Sequence, residues 1–197
     1  WSMLGRRDAE TRPAAEPEPG PAAAADARIA PAAPDEVEPA PFFEEVPVGE
    51  TVVLGSYAFT ADKIIAFARR YDPQPFHVDP EAARDSFYGG LIASGWHTGS
   101  AWMSRLVERR TRQREAALAR GERPVNFGPS PGFRDLKWLK PVHAGDTLTF
   151  RTTVVDKRVS ASRPDWGLVL SQGTGHNQAG ELVYAFNGAG FVERKGR

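Results

Sequence analysis

No cysteine occurs among the 197 residues. Disulfide staples and thiolate chemistry are therefore excluded, and a reducing compartment is compatible. Long apolar runs are also missing: none approaches the roughly 18 residues that cross a membrane. The chain opens at Trp1 with no apolar stretch of signal-peptide length, so no secretory leader is expected. Neither sign of charge is in excess, with 25 Lys and Arg against 25 Asp and Glu. That balance gives no reason to look for nucleic acid or an anionic membrane as partner. The histidines are His77, His97, His143 and His176, widely spaced and without a carboxylate cluster, so no metal site is suggested. No Gly-x-Gly-x-x-Gly follows a strand, so no dinucleotide cofactor is indicated. The expectation is a cytoplasmic, cofactor-free protein.

What is present divides near residue 41. Twenty of the first 41 residues are alanine or proline, and Trp1 is their only aromatic. Eight acidic side chains there face four arginines. Such a stretch buries too little apolar surface to offset the entropy of ordering it. Residues 1–41 are therefore expected to be a disordered tail, and 42–197 a single domain.

Within that domain, Thr51–Phe59 is rich in β-branched and aromatic residues and reads as a strand. Thr60 then caps a helix whose Ile64, Phe67, Ala68 and Tyr71 share one face. Asp72-Pro73 ends it. Pro73 and Pro75 argue against any helix in the next few residues. Asp79-Pro80 restarts a short one, to about Asp85. Gly89-Gly90 permits a tight turn. The longest helix follows, from about Ser94 to Arg120. Its first half is small and apolar, with Trp96, Trp102 and Met103 read as core. Its second half carries Arg105, Arg109, Arg110, Arg112, Arg114 and Arg120 and reads as a solvated face. Beyond a proline-containing loop the period becomes two. Strands are expected at Phe133–Lys140, Thr147–Val155, Gly167–Thr174 and Glu181–Val192. One strand, then helices, then four strands gives an α+β domain, an antiparallel sheet against one long helix.

The chemistry gathers between Tyr71 and Ser104. Asp72 and His77, five residues apart, could form an acid–base pair near the start of the long helix. The free N–H groups and dipole of a helix N-terminus favour an anion. On residue types alone the pair is as readily a capped turn, and Gly95 as readily a packing glycine. Ser94 fits an N-cap or a pocket donor, and His97 a packing residue or a support to the site.

The run YDPQPFHVDPEAA, then GGLIASGWHT, then WLKPVHAGDTL and the SRPDWG loop, resembles the MaoC-like dehydratases, the (R)-specific enoyl-CoA hydratases. The resemblance covers roughly residues 45–193. It implies a hot-dog fold, in which a curled antiparallel sheet wraps one long helix. It implies a homodimer binding an acyl-CoA or acyl-carrier-protein thioester, in fatty acid metabolism. It implies a hydro-lyase that interconverts a 2-enoyl and a 3-hydroxyacyl thioester. Asp72 and His77 match the family's water-holding pair. The backbone N–H of Gly95 matches the contact to the thioester oxygen. We expect His77 to act as base toward water, with Asp72 as its partner and proton donor; the reverse stays open. Ser94, Gly90, Trp96 and Arg163 are the candidate substrate contacts; attraction of CoA phosphates is the alternative to a solvated face for the arginine-rich helix end, and Arg163 is another candidate for that role. One departure is Ser94-Gly95, where many hydratases carry His-Gly. Two rival functions share the fold. A thioesterase would need a carboxylate on or beside the long helix, and no acidic residue lies between Asp85 and Glu108. A non-catalytic acyl-binding protein would not need both Asp72 and His77.

Overall fold

A computed structural model describes residues 37–196. Residues 1–36, most of the expected tail, lie outside the described residues. Ala40 and Phe42, either side of the expected junction, pack against a small apolar cluster of Phe43, Val125 and Val192.

The elements are β1 (Thr51–Ala58), α1 (Ala61–Tyr71), α2 (Pro75–Val78), α3 (Pro80–Arg84), α4 (Gly95–Ala119), β2 (Gly132–Trp138), β3 (Thr147–Val159), β4 (Trp166–His176) and β5 (Leu182–Glu193). A single 3-10 turn, Phe43–Glu45, precedes them. The strands form one five-stranded sheet in the order β1-β3-β4-β5-β2. Every neighbouring pair is antiparallel. The 25-residue α4 lies against this sheet, the hot-dog arrangement.

Period-two alternation is what turns the sheet's apolar face onto the helix. In β3, Leu148 and Phe150 are fully buried while Thr149 between them is not. They meet Leu54 of β1, Val183 and Tyr184 of β5, and Ala101 and Trp102 of α4 in one core. Ile64 and Ala68 put the apolar face of α1 onto the same side. The Thr60 hydroxyl accepts from the Lys63 N–H, so α1 starts where its cap residue stands.

Three expectations are corrected. The Pro73–Pro75 stretch does contain helix: Pro75–Val78 makes one turn, with Pro75 at its first position. There the missing N–H is one that no helix would have used, so proline starts the turn rather than breaking it. Trp96 and Met103 are not core. They are 56% and 49% exposed and lie with Val107 on the outer face of α4. Their spacing of seven and four residues keeps them together, and Trp102 alone of the three faces the sheet. The second half of α4 is not simply a solvated face either. Ala117 is buried, and Arg109, Arg110 and Arg112 are half-buried.

Candidate active site

Asp72 and His77 are brought together by two local stops. Asp72 caps the C-terminus of α1, its own N–H bonding the Ala68 carbonyl. Proline at 73 keeps it out of the helix. The chain turns at Gln74 and enters α2, whose last turn carries His77. The Asp72 carboxylate and His77 Nε2 then stand 3.5 Å apart. Five residues of sequence become one short polar contact because a single helical turn folds the second residue back over the first.

The other ring nitrogen fixes the tautomer. His77 Nδ1 lies 2.8 Å from the Ile92 carbonyl oxygen. A carbonyl only accepts, so Nδ1 carries the hydrogen and Nε2 of the neutral ring is left as an acceptor. The Ile92 carbonyl is itself held in place. Ile92 N–H bonds Phe76 O at 3.2 Å, Ala93 N–H bonds Val142 O at 2.8 Å, and Ile92 bridges His143.

Asp72 is a hydrogen-bond acceptor twice over. Ser94 Oγ donates to Oδ2 at 2.6 Å, and Gln74 Nε2 donates to Oδ1 at 2.8 Å. Burial pushes the carboxyl up, but these two donors and the nearby imidazole outweigh it and hold it below the ordinary carboxylate range. The carboxylate is therefore ionised near neutrality.

Ser94 is the N-cap of α4, and its Oγ also accepts from the Trp96 N–H at 3.3 Å. The Ser94 carbonyl takes the N–H groups of His97 and Thr98 at 2.9 and 3.2 Å. One first-turn amide remains: Gly95 N–H has no acceptor among the described residues, and Gly95 lines the same cleft as Asp72 and His77. The cleft is about 390 Å³, walled by Phe76, Tyr88, Trp96, Trp138, Val142 and Val183. Gly95 also answers to packing. The Trp138 ring lies so close over it that a Cβ there would overlap the indole, whose Nε1 donates to Gly95 O at 2.9 Å.

The structure thus gathers Asp72, His77, Ser94, Gly95 and Trp96 around one cleft. Gly90 stands just outside it, beside His143. Arg163 is not brought there. It lies exposed in the turn between β3 and β4, whereas Val183 of the cleft wall stands in β5 opposite the other end of β4, about 30 Å along the strand. His97 is packed beneath: 4% exposed, stacked on Phe67 and bonded through Nε2 to the Tyr57 hydroxyl at 3.2 Å. Burial and the nearby Lys63 push its pKa down to about 4. Gln74, the Ile92 carbonyl and Trp138 escaped the sequence reading. Only Gln74, flanked by prolines beside Asp72, carried a local signal. No cluster of three metal-ligating side chains occurs among the described residues. No described helix is long and apolar enough to cross a membrane.

A curled antiparallel sheet holding one helix, with a carboxylate–imidazole pair and a free amide at that helix's N-terminus, defines a hot-dog domain of the dehydratase kind. Comparison with known proteins names the family. The MaoC-like domain matches residues 43–166, and the chain belongs to that family. It is 35% identical to the MaoC-like dehydratase from Rhodospirillum rubrum, with a TM-score of 0.66 over 80% of this chain and all of that one. An uncharacterized Bacillus subtilis protein, YdeM, is 26% identical over 72% of this chain and 91% of its own length. The R-hydratase PhaJ1 of Pseudomonas aeruginosa shares the fold, with a TM-score of 0.58 at 21% identity over 78% of this chain and 86% of that one.

Proposed function

We propose that this protein is a hydro-lyase that adds water reversibly across the double bond of a 2-enoyl thioester, giving the 3-hydroxyacyl thioester. The observation that carries the reading is the pairing of two acceptors, His77 Nε2 and ionised Asp72, beside the one unused amide of the α4 N-terminus.

A water in the cleft can donate one O–H to Nε2 and the other to Oδ2, which aims its lone pairs at the substrate. As its oxygen bonds the β carbon, one O–H bond breaks and the proton passes to Nε2. The double-bond pair moves onto the α carbon and the thioester oxygen. Gly95 N–H and the helix dipole hold that charge. The imidazolium then returns its proton to the α carbon. One water is added and both residues are restored, so the cycle needs no prior proton on Asp72. The carboxylate orients the water and stabilises the transient imidazolium. His77 is thus both base and acid, and Asp72 its ionised partner.

The hydratases and dehydratases among the similar structures support this reaction class. The outer stripe of Trp96, Met103 and Val107 supports a homodimer, since such apolar patches mark interfaces.

The test is loss of the enoyl-thioester absorbance with crotonyl-CoA and a longer 2-enoyl-CoA. Wild type should bleach the band. Asp72→Asn and His77→Gln should each turn over at least about a hundredfold more slowly, the usual size for a positioned acid or base. Full activity in both variants, or thiol release without prior loss of the band, would sink the reading.

A further inference from the structure

A second cavity, also about 390 Å³, lies between the C-terminal half of α4 and the sheet. It shares no lining residue with the catalytic cleft. Its arginines are about 22 Å along α4 from Gly95. Val52 and Leu54 of β1, Trp102 and Leu106 of α4, Val154 of β3 and Val192 of β5 give it apolar walls. The segment from Glu38 to Pro41 closes one side. A space of this size and lining is what a small amphiphile requires.

Two guanidinium groups, Arg109 and Arg110, line the same space. Arg110 stands 4.1 Å over the Phe127 ring and has no carboxylate within ion-pair distance among the described residues. The acids around the cavity have partners other than Arg110. Glu38 pairs with Arg120 at 2.6 Å and Glu45 with Lys195 at 2.5 Å. Glu50 acts on Arg109. Burial pushes Arg110 below its ordinary range, with no countering charge. A half-buried cation held over an aromatic ring, with no carboxylate beside it, gains from an anion that meets it.

We propose that this cavity is a second ligand site, which takes an aliphatic monocarboxylate with its chain along the apolar walls and its carboxylate on Arg110. The guanidinium fork matches a carboxylate's two oxygens. The apolar walls favour a chain over a polyphosphate, which would strand them against charge. The site is independent of the catalytic cleft, so it stands or falls apart from the hydratase reading.

Octanoate is the probe, titrated into the full-length protein by calorimetry, with octan-1-ol and acetate as the chain-only and charge-only controls. The Trp102 indole N–H resonance reports the location, because Trp102 lines this cavity and Trp96 and Trp138 line the other. Octanoate should saturate, move the Trp102 signal, and bind at least about tenfold tighter than either control. Arg110→Gln should weaken it at least about tenfold, and Arg110→Lys less. Asp72→Asn should bind it as wild type does. Val154→Phe, which fills the apolar end, should exclude it even if Arg110→Gln proves misfolded by circular dichroism. The proposal is overturned if octanoate binds no tighter than octanol. It is equally overturned if binding survives both Arg110→Gln and Val154→Phe, or if only the Trp96 and Trp138 signals move. A wild-type cavity that takes none of the probes, because another part of the chain or a second copy covers it, overturns it as well.

Discussion

At the N-terminal end of α4 the polar groups are neutral: a serine hydroxyl and a row of backbone amides, one of them unspent. In its C-terminal half they are guanidinium groups set among apolar walls. On the proposed reaction the first end meets an anion that exists only in passing, so partial charges from fixed amides suffice and add no permanent charge of their own. The second end carries a permanent charge that calls for a permanent counter-ion or for water. The same helix can therefore stabilise a transient oxyanion at one end and hold a stable carboxylate at the other. The difference lies in whether the positive charge belongs to the backbone or to a side chain.

The sharpest way to break this comparison is to cross the variants. Asp72→Asn should cost turnover at least about a hundredfold and leave octanoate affinity unchanged. Arg110→Gln should do the reverse, and any variant that loses both would show the two ends are not separate. Ser94→Ala comes next, since Ser94 both caps α4 and bonds Asp72. We expect roughly a tenfold loss of turnover and about 1 kcal/mol of stability. The pH–rate profile should also move. Without the Ser94 donor the Asp72 carboxyl rises toward its ordinary range, so the acid limb shifts to higher pH. A stability loss with an unmoved acid limb would reduce Ser94 to a cap.

Gly95→Ala tests whether the free amide can be separated from the packing around it. The new methyl must displace the Trp138 indole, and overpacking of this kind costs about 1–3 kcal/mol. Thermal unfolding and a red-shifted tryptophan emission would register it; an unchanged melting point would mean Trp138 swings aside freely. The last effect depends on pH and belongs to His97, beneath the first turn. Its imidazole titrates near 6.5 when unfolded and about 4 when folded, so the unfolded chain takes the proton first as pH falls. Stability should decline from about pH 6.5 toward 4, and His97→Leu should flatten that decline. Parallel melting curves for the two proteins across this range would refute it.

Much of the fold was readable because its signals are local. Thr60, Asp72-Pro73, Asp79-Pro80 and Ser94 mark helix ends by their own side chains or ring constraints. Leu148 and Phe150 mark the buried face of β3 by alternation. What failed was of another kind. Pro75 has the ring of a breaker, although its effect depends on the position it takes in a turn. Trp96 and Met103 have the hydrophobicity of core residues, but which face of α4 meets the sheet is decided by the sheet. Arg163 is a basic residue in a loop, and nothing in the loop itself says which end of a curled sheet that loop occupies.

The sequence by itself determined the order of the main elements, the placement of most of their caps, and the presence of a carboxylate and an imidazole five residues apart. These rest on interactions between residues a few positions apart, which the chain carries wherever it goes. Only the tertiary structure decided the protonation pattern of the site. The Ile92 carbonyl is fifteen residues from His77 and fixes its tautomer, and the Ser94 hydroxyl is 22 residues from Asp72 and helps hold its carboxyl below the ordinary range. It also decided that Trp138 roofs Gly95, and that half-buried Arg110 lines a cavity with apolar walls. Such contacts depend on how the sheet curls around the helix, and no window of sequence contains that.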